Sequence, residues 1–138
     1  MTRLLTTEVK QTQLDVALLA LRIGIAAMML VHGLPKLQML LSGDVSQFPS
    51  VLGMGSGLSL ALATLAEVLC SILILIGLGT RLASIPLLIT MLVAVLIVHA
   101  TDPFAAQELG LLYLMGYVVL LLLGGGRFSL DAMLTKEK

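Results

Sequence analysis

Four apolar runs of membrane-spanning length alternate with short polar or glycine-rich breaks along the chain. The runs predict helices at about 14–36, 58–78, 82–99 and 105–124, each near the roughly 20 residues that cross the hydrocarbon core of a bilayer. The breaks differ in kind. SGDVSQFPSVLGMGSG, within 38–57, is rich in Gly, Ser and Pro and predicts an irregular connection. GLGTR (Gly77 to Arg81) is a tight turn, ATDPFAAQ a short link, and GGGRFSLD closes the last run. Pro86 falls near the start of the third run, where its missing N–H does least harm. Short loops between spanning helices predict an all-α fold: a polytopic membrane protein built as one antiparallel four-transmembrane-helix bundle over residues 1–138.

The first run is not uniformly apolar. Its core, LRIGIAAMMLVHGLPKL (Leu21 to Leu37), carries an arginine, a histidine and a lysine. Residues three, four and seven apart share a helix face, so Arg22, Ile25, Met29, Gly33 and Lys36 fall in one stripe with His32 at its edge. An ionised side chain inside the bilayer costs about 3 kcal/mol or more without a partner. The stripe must therefore look inward. In the second run Glu67 sits near the middle, with Thr64 and Ser71 extending its polar face. Arg22 and Glu67 are the strong charges deep in consecutive helices, and the expectation is a structural ion pair between them near mid-bilayer. A ligand or proton site is the equal alternative, since intramembrane ionisable groups mark such sites.

A second set gathers at the opposite end from the termini: His32, Lys36, His99 and Glu108. Three readings compete. These residues snorkel to water, or they donate hydrogen bonds to the carbonyls of an organic ligand such as a quinone, or two imidazoles and a carboxylate bind a metal. Nothing in the spacing specifies a metal, so none is assigned. Arg22, His32, Lys36, Glu67, His99 and Glu108 are the candidate ligand-binding residues, and no catalytic residue is singled out. Cys70, Tyr113 and Tyr117 read as packing residues. In GGGRFSLD, Arg127 reads as a boundary charge near anionic head groups and Asp131 as a cap or dock for the end of the fourth helix.

Composition confirms the class. Charged residues are 12% of the 138 and hydrophobic ones 59%, against about a quarter charged in soluble domains. The net charge of zero offers no basic surface for nucleic acid. One cysteine excludes an internal disulfide and a CxxC pair. The first run is longer than a signal peptide's apolar region, with no clear cleavage site, and is expected to be retained. Four crossings place both termini on one side with Arg3, Lys10, Arg81, Arg127, Lys136 and Lys138, against Lys36 alone on the other. The positive-inside rule then makes the termini cytoplasmic.

Arg22, the HGLPK box (His32, Gly33, Lys36), Glu67, GLGTR, His99 followed by Glu108, and GGGRFSLD occur together in an order that resembles the DoxX family of small four-helix membrane proteins, over about Leu18 to Asp131. The resemblance implies a multi-pass component of the bacterial inner membrane that works in a redox system. It implies a quinone as the small molecule and a link to an oxidoreductase. Together with the charged end at His32, Lys36, His99 and Glu108, the expectation is a quinone-binding subunit with a polar pocket near the periplasmic side, acting with a partner that holds the redox centre. Whether the chain is itself an enzyme stays open. No covalent cofactor is expected, since CxxCH, flavin and cluster signatures are missing. A non-enzymatic scaffold that recruits a partner protein is the alternative. A small transporter is weaker, without a broken helix or inverted repeat. The lipid bilayer is the one certain surrounding, and a homo-oligomer is compatible with all three readings.

Overall fold

A computed structural model describes residues 7–136. Arg3 and Lys138, two of the charges in the topology expectation, lie outside the described residues. Four long helices run in sequence: α1 (Gln11–Ser42), α2 (Ser56–Ile76), α3 (Thr80–Val98) and α4 (Phe104–Leu123). A short α5 (Leu130–Lys136) follows. Among the described residues there is no strand, and each of the four long helices is apolar and long enough to cross a membrane. The chain is an all-α, multi-pass integral membrane protein whose surroundings are the lipid bilayer.

α1 packs along the whole of α2, α3 packs most extensively on α4, and the middle of α2 meets α3. The buried face of α1 is the expected stripe, with Arg22, Ile25, Met29 and Gly33 all inside. Ile25 and Met29 join Ile74, Leu87, Met91, Tyr113, Tyr117 and Leu120 in one core. Leucines at many outward positions, such as Leu82 and Leu96, stay exposed to lipid. Without water on that side, the usual inside-out contrast of a soluble bundle has no cause to form.

α1 continues past the expected end at residue 36 to Ser42, with Pro35 inside it. Proline removes one intrahelical donor, yet the helix resumes and stops only at Gly43, whose left-handed φ of 77° ends it. α2 ends in the same way at Gly77: the Leu78 amide reaches the Leu73 carbonyl at 2.9 Å and the Gly77 amide reaches Ile74 at 3.1 Å. That is the double bond of a Schellman cap.

Three side chains tie the 124–131 segment to the termini-side end of the bundle: Asp131 from the segment itself, and Asp15 and Arg22 from α1. Asp131 accepts from the Gly79 amide at 2.6 Å and the Thr80 amide at 3.0 Å, so it caps the start of α3. The sequence predicts a cap or dock for the end of α4. The C-terminal segment instead folds back across the α2–α3 turn, where the free amides of a new helix need an acceptor. Asp15 of α1 accepts from the Arg127 amide at 3.1 Å. Arg22 supplies the third tie.

Candidate functional site

The expected Arg22–Glu67 pair does not form. The Arg22 guanidinium, 2% exposed, donates to four carbonyls: Ile74 at 3.0 Å, Leu75 at 3.1 Å, Gly125 at 2.7 Å and Phe128 at 2.9 Å. Two of these carbonyls, Ile74 and Leu75, lie at the C-terminal, electronegative end of α2, where a cation is favoured. Helix register decides the matter. α1 and α2 are antiparallel, so position 22 faces 74 while position 33 faces 67. Glu67 stands seven residues from Ile74, about 10 Å along the axis at 1.5 Å per residue. Arg22 thus lies toward the termini-side end, away from mid-helix and from the other candidates.

Glu67 pairs instead with Lys36 of the HGLPK box. Gly33 favours this: a Cβ there would lie 3.0 Å from Val68 Cγ2 and 3.1 Å from the Glu67 Cβ and carbonyl carbon, so a larger residue would press the helices apart by a few tenths of an ångström. The two helices touch at this glycine, and Lys36, one turn further on, reaches the carboxylate. Glu67 is 2% exposed and Lys36 28%. The second carboxylate oxygen, Oε2, has no hydrogen-bond partner among the described residues. The hydroxyls of Thr64, Ser71 and Tyr117 are likewise buried and unpartnered. A buried polar atom without a partner is costly, and three such hydroxyls together with the free carboxylate oxygen make a polar seam in an otherwise apolar core.

The backbone is irregular at the same place. Leu65–Cys70, which carries Glu67, is a π-helical turn, and a second one, Ala94–Val98, ends at His99. Such wide turns are rare and concentrate at functional sites. Here they flank the ion pair from α2 and α3.

Two cavities meet at the pair. The larger, of about 400 Å³, lies between α2, α3 and the 43–55 connection, with Phe48, Val51 and Met54 as its outer wall. The connection is fixed by Ser59, whose hydroxyl accepts from the Val51 amide at 3.0 Å and donates to the Gly55 carbonyl at 2.7 Å. The Lys36 ammonium sits 5.9 Å from the centre of the Phe48 ring, within cation–π range. The smaller cavity, of about 240 Å³, lies between α1, α3 and α4 and is lined by His32 and Tyr113 among others. Lys36, Glu67 and His99 border both.

Of the six candidates the structure brings four together: His32, Lys36, Glu67 and His99. His32 stands edge-on to Tyr113 with ring centres 6.0 Å apart. His99 Nδ1 is 2.7 Å from the Asp102 carboxylate, and its carbonyl accepts from Gln107 at 2.8 Å. Glu108 does not join them. It is exposed on the first turns of α4 and borders neither cavity. Among the described residues no three His, Cys, Asp or Glu side chains converge on a point that could hold a metal ion, so the two-histidine-one-carboxylate arrangement is not assembled.

Sequence reasoning missed Phe48 and the wall it belongs to, because a Gly/Ser/Pro-rich connection carries no periodic signal. Tyr113 was visible but read as packing. Its spacing of four from Tyr117 gave the stacked pair, 6.1 Å and 16° apart, without showing that one ring edges a cavity.

The arrangement offers an ammonium and an imidazole as donors, a carboxylate as acceptor and proton carrier, and walls that are almost wholly apolar. A flat, largely apolar molecule with a few carbonyl acceptors suits such a lining.

Comparison with known proteins gives the following. A family profile described as DoxX matches residues 17–100. The match takes in Arg22, His32, Lys36, Glu67 and His99 and ends before α4 and GGGRFSLD, short of the Asp131 limit read from the sequence. An uncharacterized membrane protein of Mycobacterium tuberculosis (strain ATCC 25618 / H37Rv) is 36% identical over 85 residues, 51% of this chain and 52% of that protein. The chain therefore spans about half the length of this curated relative. No solved structure matches it.

Proposed function

Because the chain belongs to the DoxX family of membrane proteins, we propose that it is a quinone-interacting subunit of a membrane oxidoreductase, acting with a partner that carries the redox centre. One observation carries the reading: a charged and imidazole-bearing end, Lys36, Glu67 and His99, borders a cavity of about 400 Å³ whose other walls are mostly apolar. A quinone carries electron pairs together with protons. Lys36 and His99 are the donors for its carbonyl oxygens. Glu67, with one oxygen on Lys36 and the other unpartnered, is the group placed to take or give a proton. Phe48 and the 43–55 connection keep water from the ring.

The bias of Lys and Arg toward the termini supports placement in the bacterial inner membrane with cytoplasmic termini. The cavity then opens on the periplasmic side. A scaffold role has one observation in its favour: Leu52 is held at a positive φ of 51° and is 71% exposed on that same connection. A leucine displayed in a conformation side chains seldom adopt suits a contact with another protein, and the quinone-linked partner is such a protein.

The test is the quinone content of the purified protein, measured by mass spectrometry. His99→Ala should lower it, about tenfold for a lost hydrogen bond worth some 1.4 kcal/mol, while the variant still inserts. His32, which borders only the smaller cavity, should matter less on replacement by Ala. Wild-type protein devoid of quinone that also fails to take up added quinone would overturn the reading.

A further inference from the structure

The termini-side end holds a second cavity, of about 410 Å³, bordered by the start of α3, the 124–126 glycines and α5. Arg81 enters it from the second residue of α3. A cation there is opposed by the helix dipole, whose positive end lies at the N-terminus, so Arg81 is not placed for helix stability. It makes no salt bridge with a carboxylate among the described residues. Gly124 lets it lie flat: a Cβ at that position would sit 3.2 Å from the Arg81 Nε. Beside it the Thr80 hydroxyl, wholly buried, has no hydrogen-bond partner. The one carboxylate of the cavity, Asp131, has its two oxygens on the amides of Gly79 and Thr80. The rim is apolar, with Leu82, Leu123 and Leu134 exposed.

We propose that this cavity is a headgroup site for an anionic phospholipid of the leaflet at the termini end. Arg81 holds the phosphate, and the acyl chains lie along Leu82 and Leu123. The charge complementarity selects a phosphate oxyanion, for which arginine's planar fork is suited. The leucine rim selects a lipid over free phosphate. Occupancy would tie α5 and the glycine segment to the start of α3, the same joint that Arg22 and Asp131 close from inside.

The test is thermal unfolding of the detergent-solubilised protein with phosphatidylglycerol, phosphatidylcholine or inorganic phosphate added. Phosphatidylglycerol at about ten times its dissociation constant should raise the melting temperature by about 5 °C, and the other two should not. Arg81→Gln should abolish the difference between the two lipids, and Arg81→Lys should restore part of it. Because the reading is a difference within each variant, a general loss of stability does not obscure it. Native mass spectrometry of the same variants should show the bound lipid in wild type and lose it in Arg81→Gln. Equal shifts from both lipids, a shift from phosphate alone, or an undiminished difference in Arg81→Gln would each overturn the site.

Discussion

Lys36 and Glu67 form an ion pair across the point where α1 and α2 come closest, at Gly33. A lysine one residue beyond a helix proline, and a carboxylate on a π-helical turn, thus set the floor shared by two cavities. The pair's energetics are accessible. Removing one partner of a buried pair costs roughly 3–5 kcal/mol in soluble proteins, and Lys36 retains 28% exposure, which places this pair at the lower end. Lys36→Met and Glu67→Leu should each destabilise the protein in detergent. The double variant should lose less than the two singles added. The cycle of Arg22→Ala with Glu67→Leu should be additive, since those residues do not meet.

Arg22 is a structural clamp. Its four carbonyl bonds join α2 to the 124–128 segment, which lysine's single ammonium cannot reproduce from one position. Arg22→Lys should therefore be nearly as damaging as Arg22→Ala, at about 3 kcal/mol or more from several lost charge-assisted bonds. Hydrogen exchange should rise first in residues 124–131. Exchange confined to the 43–55 connection would contradict this role.

Two glycines should respond oppositely. Gly77 has a φ of 74°, and a Cβ there would come 2.5 Å from the Ser129 Cβ and 2.8 Å from the Arg22 Cζ. Gly77→Ala should cost more than the roughly 1–2 kcal/mol of the left-handed conformation alone. Gly24 lies inside α1 with nothing within 4 Å of its would-be Cβ. Gly24→Ala should stabilise by about 0.5–1 kcal/mol. Thermal melts of the two variants settle both.

Much of this was legible in the chain. Four spans, the inward stripe of α1 and the meeting of His32, Lys36 and His99 at one end followed from periodicity and from the cost of charge in lipid. The partner of Glu67 did not, because antiparallel register depends on the length and path of the 43–55 connection, which periodicity does not report. Periodicity bounds α1 at about 14–36 and so puts position 22 mid-span, whereas the helix runs from Gln11 to Ser42. Glu108 was grouped by depth alone, and depth does not say which face of α4 it occupies. The π-helical turns have no signature in composition.

Sidedness has its own test. With Cys70 replaced by Ala, single cysteines at Ser46 and Thr135 should differ toward an impermeant thiol reagent on intact cells. Position 46 should label and position 135 should not. The reverse pattern would put the Lys36–Glu67 cavity on the cytoplasmic side.

Photo-crosslinking with an azido-substituted quinone, followed by peptide mapping, addresses the proposed role most directly. Binding beside the Lys36–Glu67 pair predicts labelling within residues 48–67 and 89–99, which border the larger cavity, and its loss on competition with unmodified quinone and in His99→Ala. Label spread over the lipid-facing leucines, indifferent to competitor and to His99, would contradict quinone binding at this site.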